Sequence, residues 1–120
     1  MAGRGVRPAG LAAVEAHLSD LPHRLVLCGH SHLPGRMSLA DGRLVVNPGS
    51  VGLQAFDGGR PGSHAVGNGS PHARYALCDL GPDGWSVSFR AVEYDHSAAA
   101  AAARRNGRED WARWVETGRA

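Results

Sequence analysis

Isoleucine and lysine are both absent from these 120 residues. Without isoleucine, the strongly apolar set of Leu, Val and Phe numbers only 23, and 19 alanines, which bury little area each, fill the apolar share. A core that thin lies close to the point where packing only just offsets chain entropy. The net charge is only +2, which excludes a self-repelling disordered chain and leaves a folded but undersized or incomplete unit, a single partial domain over residues 1–120. Without lysine, all 13 basic residues are Arg, and they are scattered, so the grouped basic footprint of a nucleic-acid-binding protein is missing. Cysteine is scarce as well. Cys28 and Cys78 lie far apart, each in an apolar strand-like run, which excludes a disulfide framework and predicts reduced core thiols. No stretch of eighteen apolar residues occurs, and Arg4, Arg7 and Glu15 interrupt the start where a signal peptide would need an apolar run. A soluble, cytoplasmic chain without membrane contact is expected.

What is present reads as alternating helix and strand. Leu11, Val14, Leu18 and Leu21 fall on one helical stripe between Pro8 and Leu21, and Pro22 ends it. Leu25–Cys28 is a short continuous apolar run, which predicts a strand covered on both faces. Met37–Ala40 and Arg43–Asn47 flank Asp41-Gly42, a dipeptide suited to a two-residue type I′ hairpin. Residues 57–72 are dominated by Gly, Pro, Ser, Asn and Asp and read as a flexible loop. Arg74–Leu80 and Trp85–Tyr94 predict a second hairpin across Gly81-Pro82-Asp83-Gly84. Asp95 or Ser97 caps a helix through the alanines 98–103, with Arg104 and Arg105 in its last turn and Gly107 beyond. A final helix over Glu109–Thr117 places Trp111, Trp114 and Val115 on one face and stops at Gly118. The order predicts a layered α/β arrangement: a mixed sheet with hairpins and flanking helices.

Chemistry concentrates in "LVLCGHSHLPG", residues 25–35. In an extended segment residues i and i+2 project to the same side about 6.5 Å apart on a rise of roughly 3.3 Å per residue, so His30 and His32 would face one site, with Ser31 pointing away and Gly29 allowing a close turn. That spacing suits two metal ions about 3.5–4 Å apart, each taking one imidazole. The strand end is also where open α/β sheets place ligands. The remaining candidates read blandly. His64 and His72 flank the glycine-rich loop as solvated residues, and Gly67-Asn68-Gly69-Ser70 is turn chemistry. Ser50 lies in "PGSVG", which fails the nucleophile-elbow pattern at Pro48 and has no helix after it.

"CGHSHLP", followed by "VVNPGSVG", resembles the C-terminal part of the calcineurin-like metallophosphoesterase superfamily in its small prokaryotic branch. The resemblance implies the C-terminal half of a four-layer αββα sandwich. It implies that His30 and His32 are metal ligands, with Gly29, Ser31, Asn47, Gly49 and Ser50 as site-loop residues beside them. The cofactors implied are divalent ions: Mn, Zn, Fe or Ni all suit imidazole. The activity implied is hydrolysis of a phosphomonoester or phosphodiester small molecule, in which a metal-bridging hydroxide attacks phosphorus.

Four motifs that the resemblance places upstream are not in this sequence: Asp-x-His, Gly-Asp-x-x-Asp, Gly-Asn-His-Asp/Glu and a further isolated His. Before Gly29 the acidic residues are Glu15 and Asp20 and the histidines are His17 and His23, all on or just after the predicted first helix. Two divalent ions bring four positive charges, and two neutral imidazoles offset none. The chain is therefore expected to be a truncated or late-started part of a longer protein, or to work with the missing N-terminal half or a second copy as partner. The alternative reading is a non-catalytic remnant or protein-interaction module with weak or no metal binding.

Overall fold

In a computed structural model that describes residues 9–57 and 66–120, the chain forms three short helices and seven strands. The helix α1 spans Leu11–His17, shorter than the stripe predicted. Its last turn gives way where Ser19 Oγ bonds back to the Ala16 carbonyl at 3.0 Å and Leu21 N–H turns to the Leu18 carbonyl at 3.0 Å. Pro8 lies outside the described residues. The freed carbonyls at this end are satisfied from the sheet: Arg43 Nη1 donates to Leu18 O at 2.7 Å and to Leu21 O at 2.9 Å.

Strand β1 (Leu25–Leu27) pairs in parallel with β3 (Leu44–Asn47), and β2 (Gly35–Ser38) pairs antiparallel with β3, giving a mixed sheet ordered β1-β3-β2. The alternation of β3 is strict: Leu44 and Val46 are buried on one face, while Val45 and Asn47 are half-buried on the other. On the Val45 face a cavity of about 350 Å³ opens between the sheet and Val14 of α1. Two sequence expectations fail on β1. Leu27 is 64% exposed and Cys28 is exposed, because β1 is an edge strand that no other described strand covers. The β2–β3 connection is also not type I′. Gly42 has φ 87° but Asp41 does not have positive φ, and the bonds Gly42 N–H to Leu39 O and Leu39 N–H to Arg43 O make a three-residue loop with a glycine bulge.

Strand β4 (Ala55–Phe56) pairs with β5 (Val66–Gly67), so ordered structure reaches into the segment expected to be a flexible loop; residues 58–65 of it lie outside the described residues. Strands β6 (Ala73–Gly81) and β7 (Gly84–Val92) form the long hairpin predicted around Pro82-Asp83. Register pairs Cys78 with Val87 and Ala76 with Phe89, so the apolar alternation of the two strands falls on one face.

Helix α2 (His96–Arg105) starts where expected, with Asp95 Oδ1 accepting from Ala98 N–H at 3.1 Å, and is followed by Gly107 at φ 74°. Helix α3 (Glu109–Thr117) ends in Gly118 at φ 67°. The two helices pack through Ala100, Ala112 and Val115, small residues that let the backbones approach, with Leu53 and Ala103 against them. Trp111 departs from the expected face. It is 42% exposed beneath the Arg108 guanidinium, 5.1 Å from the ring centre, and Ala112 takes the packed position.

Mixed α/β architecture with a small mixed sheet and flanking helices is thus what forms. The radius of gyration is 16.4 Å, against about 14 Å for a compact chain of this length. Among the described residues the strands form three separate sheets whose outer edges are unpaired.

Candidate functional site

The segment after β1 does not stay extended. His30 has φ 75° and His32 has φ 61°, the only non-glycine residues with positive φ among those described. Ser31 N–H bonds back to the Gly29 carbonyl at 3.0 Å, so residues 29–31 close a three-residue turn centred on His30. The extended His-x-His expected from the sequence does not form, because the backbone curls at both histidines. Each left-handed L-residue costs of order 1 kcal/mol, and such costs gather where surrounding contacts impose them. Gly29 supplies the acceptor carbonyl of the turn but is not required to be glycine, since its φ is not left-handed and a Cβ added there would meet nothing within 4 Å.

The two imidazoles nonetheless reach a common neighbour. The ring of Phe56 lies 6.1 Å from His30 and 4.8 Å from His32 between ring centres, tilted by 54° and 58°. His32 is fixed further: its Nδ1 lies 2.7 Å from the carbonyl oxygen of Leu53. A carbonyl can only accept, so Nδ1 carries the hydrogen, and in the neutral ring Nε2 presents its lone pair. Metal-bound histidines are commonly oriented in this way by a backbone carbonyl on the other nitrogen. His30 is exposed and makes no hydrogen bond among the described residues.

Asn47, at the end of β3, joins this turn to the next loop. Its Nδ2 donates to Ser31 Oγ at 3.0 Å and to Gly29 O at 3.4 Å, and its Oδ1 accepts from Gly49 N–H at 3.0 Å. Ser31 therefore does not point away. It is half-buried inside the network and also accepts from Leu33 N–H at 3.3 Å. Gly49 has φ 87°, and a Cβ there would sit 2.9 Å from Arg74 Cβ, so this position admits only glycine. Ser50 Oγ accepts from Gly52 N–H at 3.3 Å and Ser50 O accepts from Arg74 N–H at 2.8 Å, which ties the loop to β6.

Residues 53–56, which the sequence did not single out, position the histidines. Leu53 packs on the helix pair while its carbonyl holds His32, and Phe56 of β4 lies under both rings. Gln54 between them is fully buried; its Nε2 donates to Ser50 O and its Oε1 accepts from Asn68 Nδ2. Asn68 Oδ1 in turn accepts from Ser70 N–H at 2.9 Å, the turn chemistry expected there. No pattern in the sequence marks a glutamine as buried, because the burial comes from three loops meeting. The His72 ring lies 3.6 Å from Glu93 while the His72 backbone N–H donates to Ser70 Oγ at 3.3 Å, and His64 lies outside the described residues.

The donor set decides what this arrangement can hold. Among the described residues no group of three or more His, Cys, Asp or Glu side chains could hold a metal ion. Two imidazoles without a carboxylate do not fit a closed two-ion centre, and no chemical step through such a centre follows from them. Among the described residues, too, no helix is long and apolar enough to cross a membrane.

Comparison with known proteins bears on the fold. No family model and no curated protein matches the sequence. Among solved structures, the crystal structure of a metallophosphoesterase from Sphaerobacter thermophilus is similar, with a TM-score of 0.63 and 23% identity, over 88% of this chain and 46% of that one. The chain thus spans less than half the length of that protein. Over that length it has the fold of part of a metallophosphoesterase.

Proposed function

We propose that this chain contributes the Gly-His-x-His corner of a metal-dependent phosphoesterase, an enzyme that hydrolyses a phosphomonoester or phosphodiester. In this reading His30 and His32 are metal ligands, Asn47, Ser31 and Gly49 shape the loop beside them, and carboxylate ligands come from polypeptide outside the described residues. The observation that carries the reading is the bond between His32 Nδ1 and Leu53 O, which leaves Nε2 free to ligate at the carboxyl end of a parallel strand. The likeness to a metallophosphoesterase supports the fold behind it. Mn, Zn, Fe and Ni are all compatible with imidazole.

A second reading, a non-catalytic assembly module, draws support from the lack of a third donor among the described residues and from the open edge at Leu27. Metal titration separates the two. Calorimetric titration of Zn²⁺ or Mn²⁺ into chelator-treated chain should show binding at no more than one ion per chain, lost in His32→Ala. Absence of any His-dependent binding would favour the assembly module.

A further inference from the structure

Both contacts that hold the His32 ring come from one short segment. Leu53 O lies 2.7 Å from Nδ1, and the Phe56 ring lies 4.8 Å from the imidazole between ring centres. Strand β4, which carries Phe56, is two residues long, and its partner among the described strands is the equally short β5, with Ala55 opposite Gly67 and Phe56 opposite Val66. A ladder that small does not hold itself together in water.

The residue after α3 supplies the grip. Gly118 is buried, and its carbonyl accepts from Gly69 N–H at 2.8 Å. That oxygen lies 2.8 Å from the point a Cβ on Gly67 would occupy, and a Cβ on Gly118 would overlap the backbone N and O of Ser70. Backbone meets backbone there, with no room for a side chain on either residue. Thr117 pins the tail, its Oγ1 donating to Arg113 O at 2.8 Å and accepting from Arg119 N–H at 3.1 Å. On the inner side of the clasp Asn68 N–H donates to Gln54 O at 3.3 Å, and Asn68 Nδ2 donates to Gln54 Oε1. Helix α3 therefore grips the segment under the histidines twice: at Leu53, through the cluster of Ala112 and Val115, and at β5, through Gly118.

We propose that Gly118 is a positioning residue for the His32 imidazole: its clasp on Gly67–Ser70 holds β4 so that Leu53 O and the Phe56 ring orient the ligating nitrogen. The ligating role rests on the phosphoesterase reading; the clasp does not. The test follows His32 in the whole chain. Long-range ¹H–¹⁵N spectra report which ring nitrogen is protonated, amide exchange reports Gly69 N–H, and calorimetry reports Zn²⁺ binding.

In the unaltered chain Gly69 N–H is expected to be protected and His32 to keep its proton on Nδ1. Two altered chains break the clasp: Gly118→Ala, and a chain ending at Thr117, which removes the acceptor without adding bulk. Both are expected to mix the two His32 tautomers and to weaken Zn²⁺ binding by about tenfold, the size usual when a metal-bound histidine loses its outer partner. Gly107→Ala is the control for strain alone. Gly107 has φ 74° and a Cβ there would meet nothing within 4 Å, so it carries the same backbone cost without touching β5, and His32 is expected to be unchanged.

Rapid exchange at Gly69 in the unaltered chain overturns the proposal without reference to any variant. So does a His32 tautomer unmoved in both altered chains, or moved equally by Gly107→Ala. Failure of the phosphoesterase reading looks different: Zn²⁺ binding would be independent of His32 while its tautomer still answered to Gly118.

Discussion

The Nδ1 of His32 and the carbonyl oxygen of Leu53, 21 positions apart in sequence, lie 2.7 Å from each other. The contact joins the histidine turn to the segment that the α2–α3 pair holds in place, and it selects one tautomer. Long-range ¹H–¹⁵N spectra at neutral pH are expected to show His32 protonated on Nδ1 with Nε2 bare. A ring protonated on Nε2 would remove the ligating role.

The left-handed backbone at His30 gives a sign test. At an ordinary position, replacing Ala by Gly costs roughly 0.5–1 kcal/mol. At φ 75° the order reverses, and His30→Gly is expected to be more stable than His30→Ala by about 1 kcal/mol in denaturant unfolding. The ordinary order, Ala above Gly, would mean that residues 29–31 do not form the turn.

Gln54 carries the polar junction between the Ser50 loop, β4 and the Asn68 turn. Gln54→Leu keeps the volume, strands Asn68 Nδ2 and removes one of the two donors to Ser50 O, so a loss of about 1–3 kcal/mol is expected from thermal unfolding. The same substitution should weaken any His32-dependent metal binding, since Leu53 is the adjacent residue. A neutral outcome would show that the junction is not formed.

At low pH the helix pair should loosen before the hairpin. The Asp110 carboxyl is lowered to about 2, chiefly by the side-chain hydrogen bond from Arg108, and Glu116 is lowered chiefly by that from Arg104. Because both folded values are depressed, the stability they contribute is present above the ordinary carboxylate range and lost as pH falls through the folded values. Both pairs are solvent-exposed, so the effect is small. Helical circular dichroism should therefore fall between about pH 4 and pH 2. Asp110→Asn should flatten that slope, and identical acid profiles for the two chains would contradict the assignment.

Local signals made the regular elements legible. Asp95, Gly107 and Gly118 bounded the last two helices, and the alternation through Trp85, Val87 and Phe89 gave the long hairpin. Positions set by non-local contact were not legible. Trp111 satisfied the helical stripe yet lies outside the α2–α3 interface, because Ala112 fits the close approach of the two helices. Cys28 and Leu27 satisfied a buried-strand pattern yet lie on an open edge. The histidine pair was legible as a motif, but the Leu53 carbonyl and the Phe56 ring that hold it lie more than twenty positions away in sequence.

Hydrolysis tests the central claim most directly. The chain, with Mn²⁺ added, is assayed on an aryl phosphodiester alone and then together with a separately produced polypeptide carrying the acidic metal-ligand motifs of a metallophosphoesterase. The account predicts no turnover by the chain alone, and turnover in the mixture that disappears with His30→Ala. Turnover by the chain alone, or turnover in the mixture that survives His30→Ala, would contradict it.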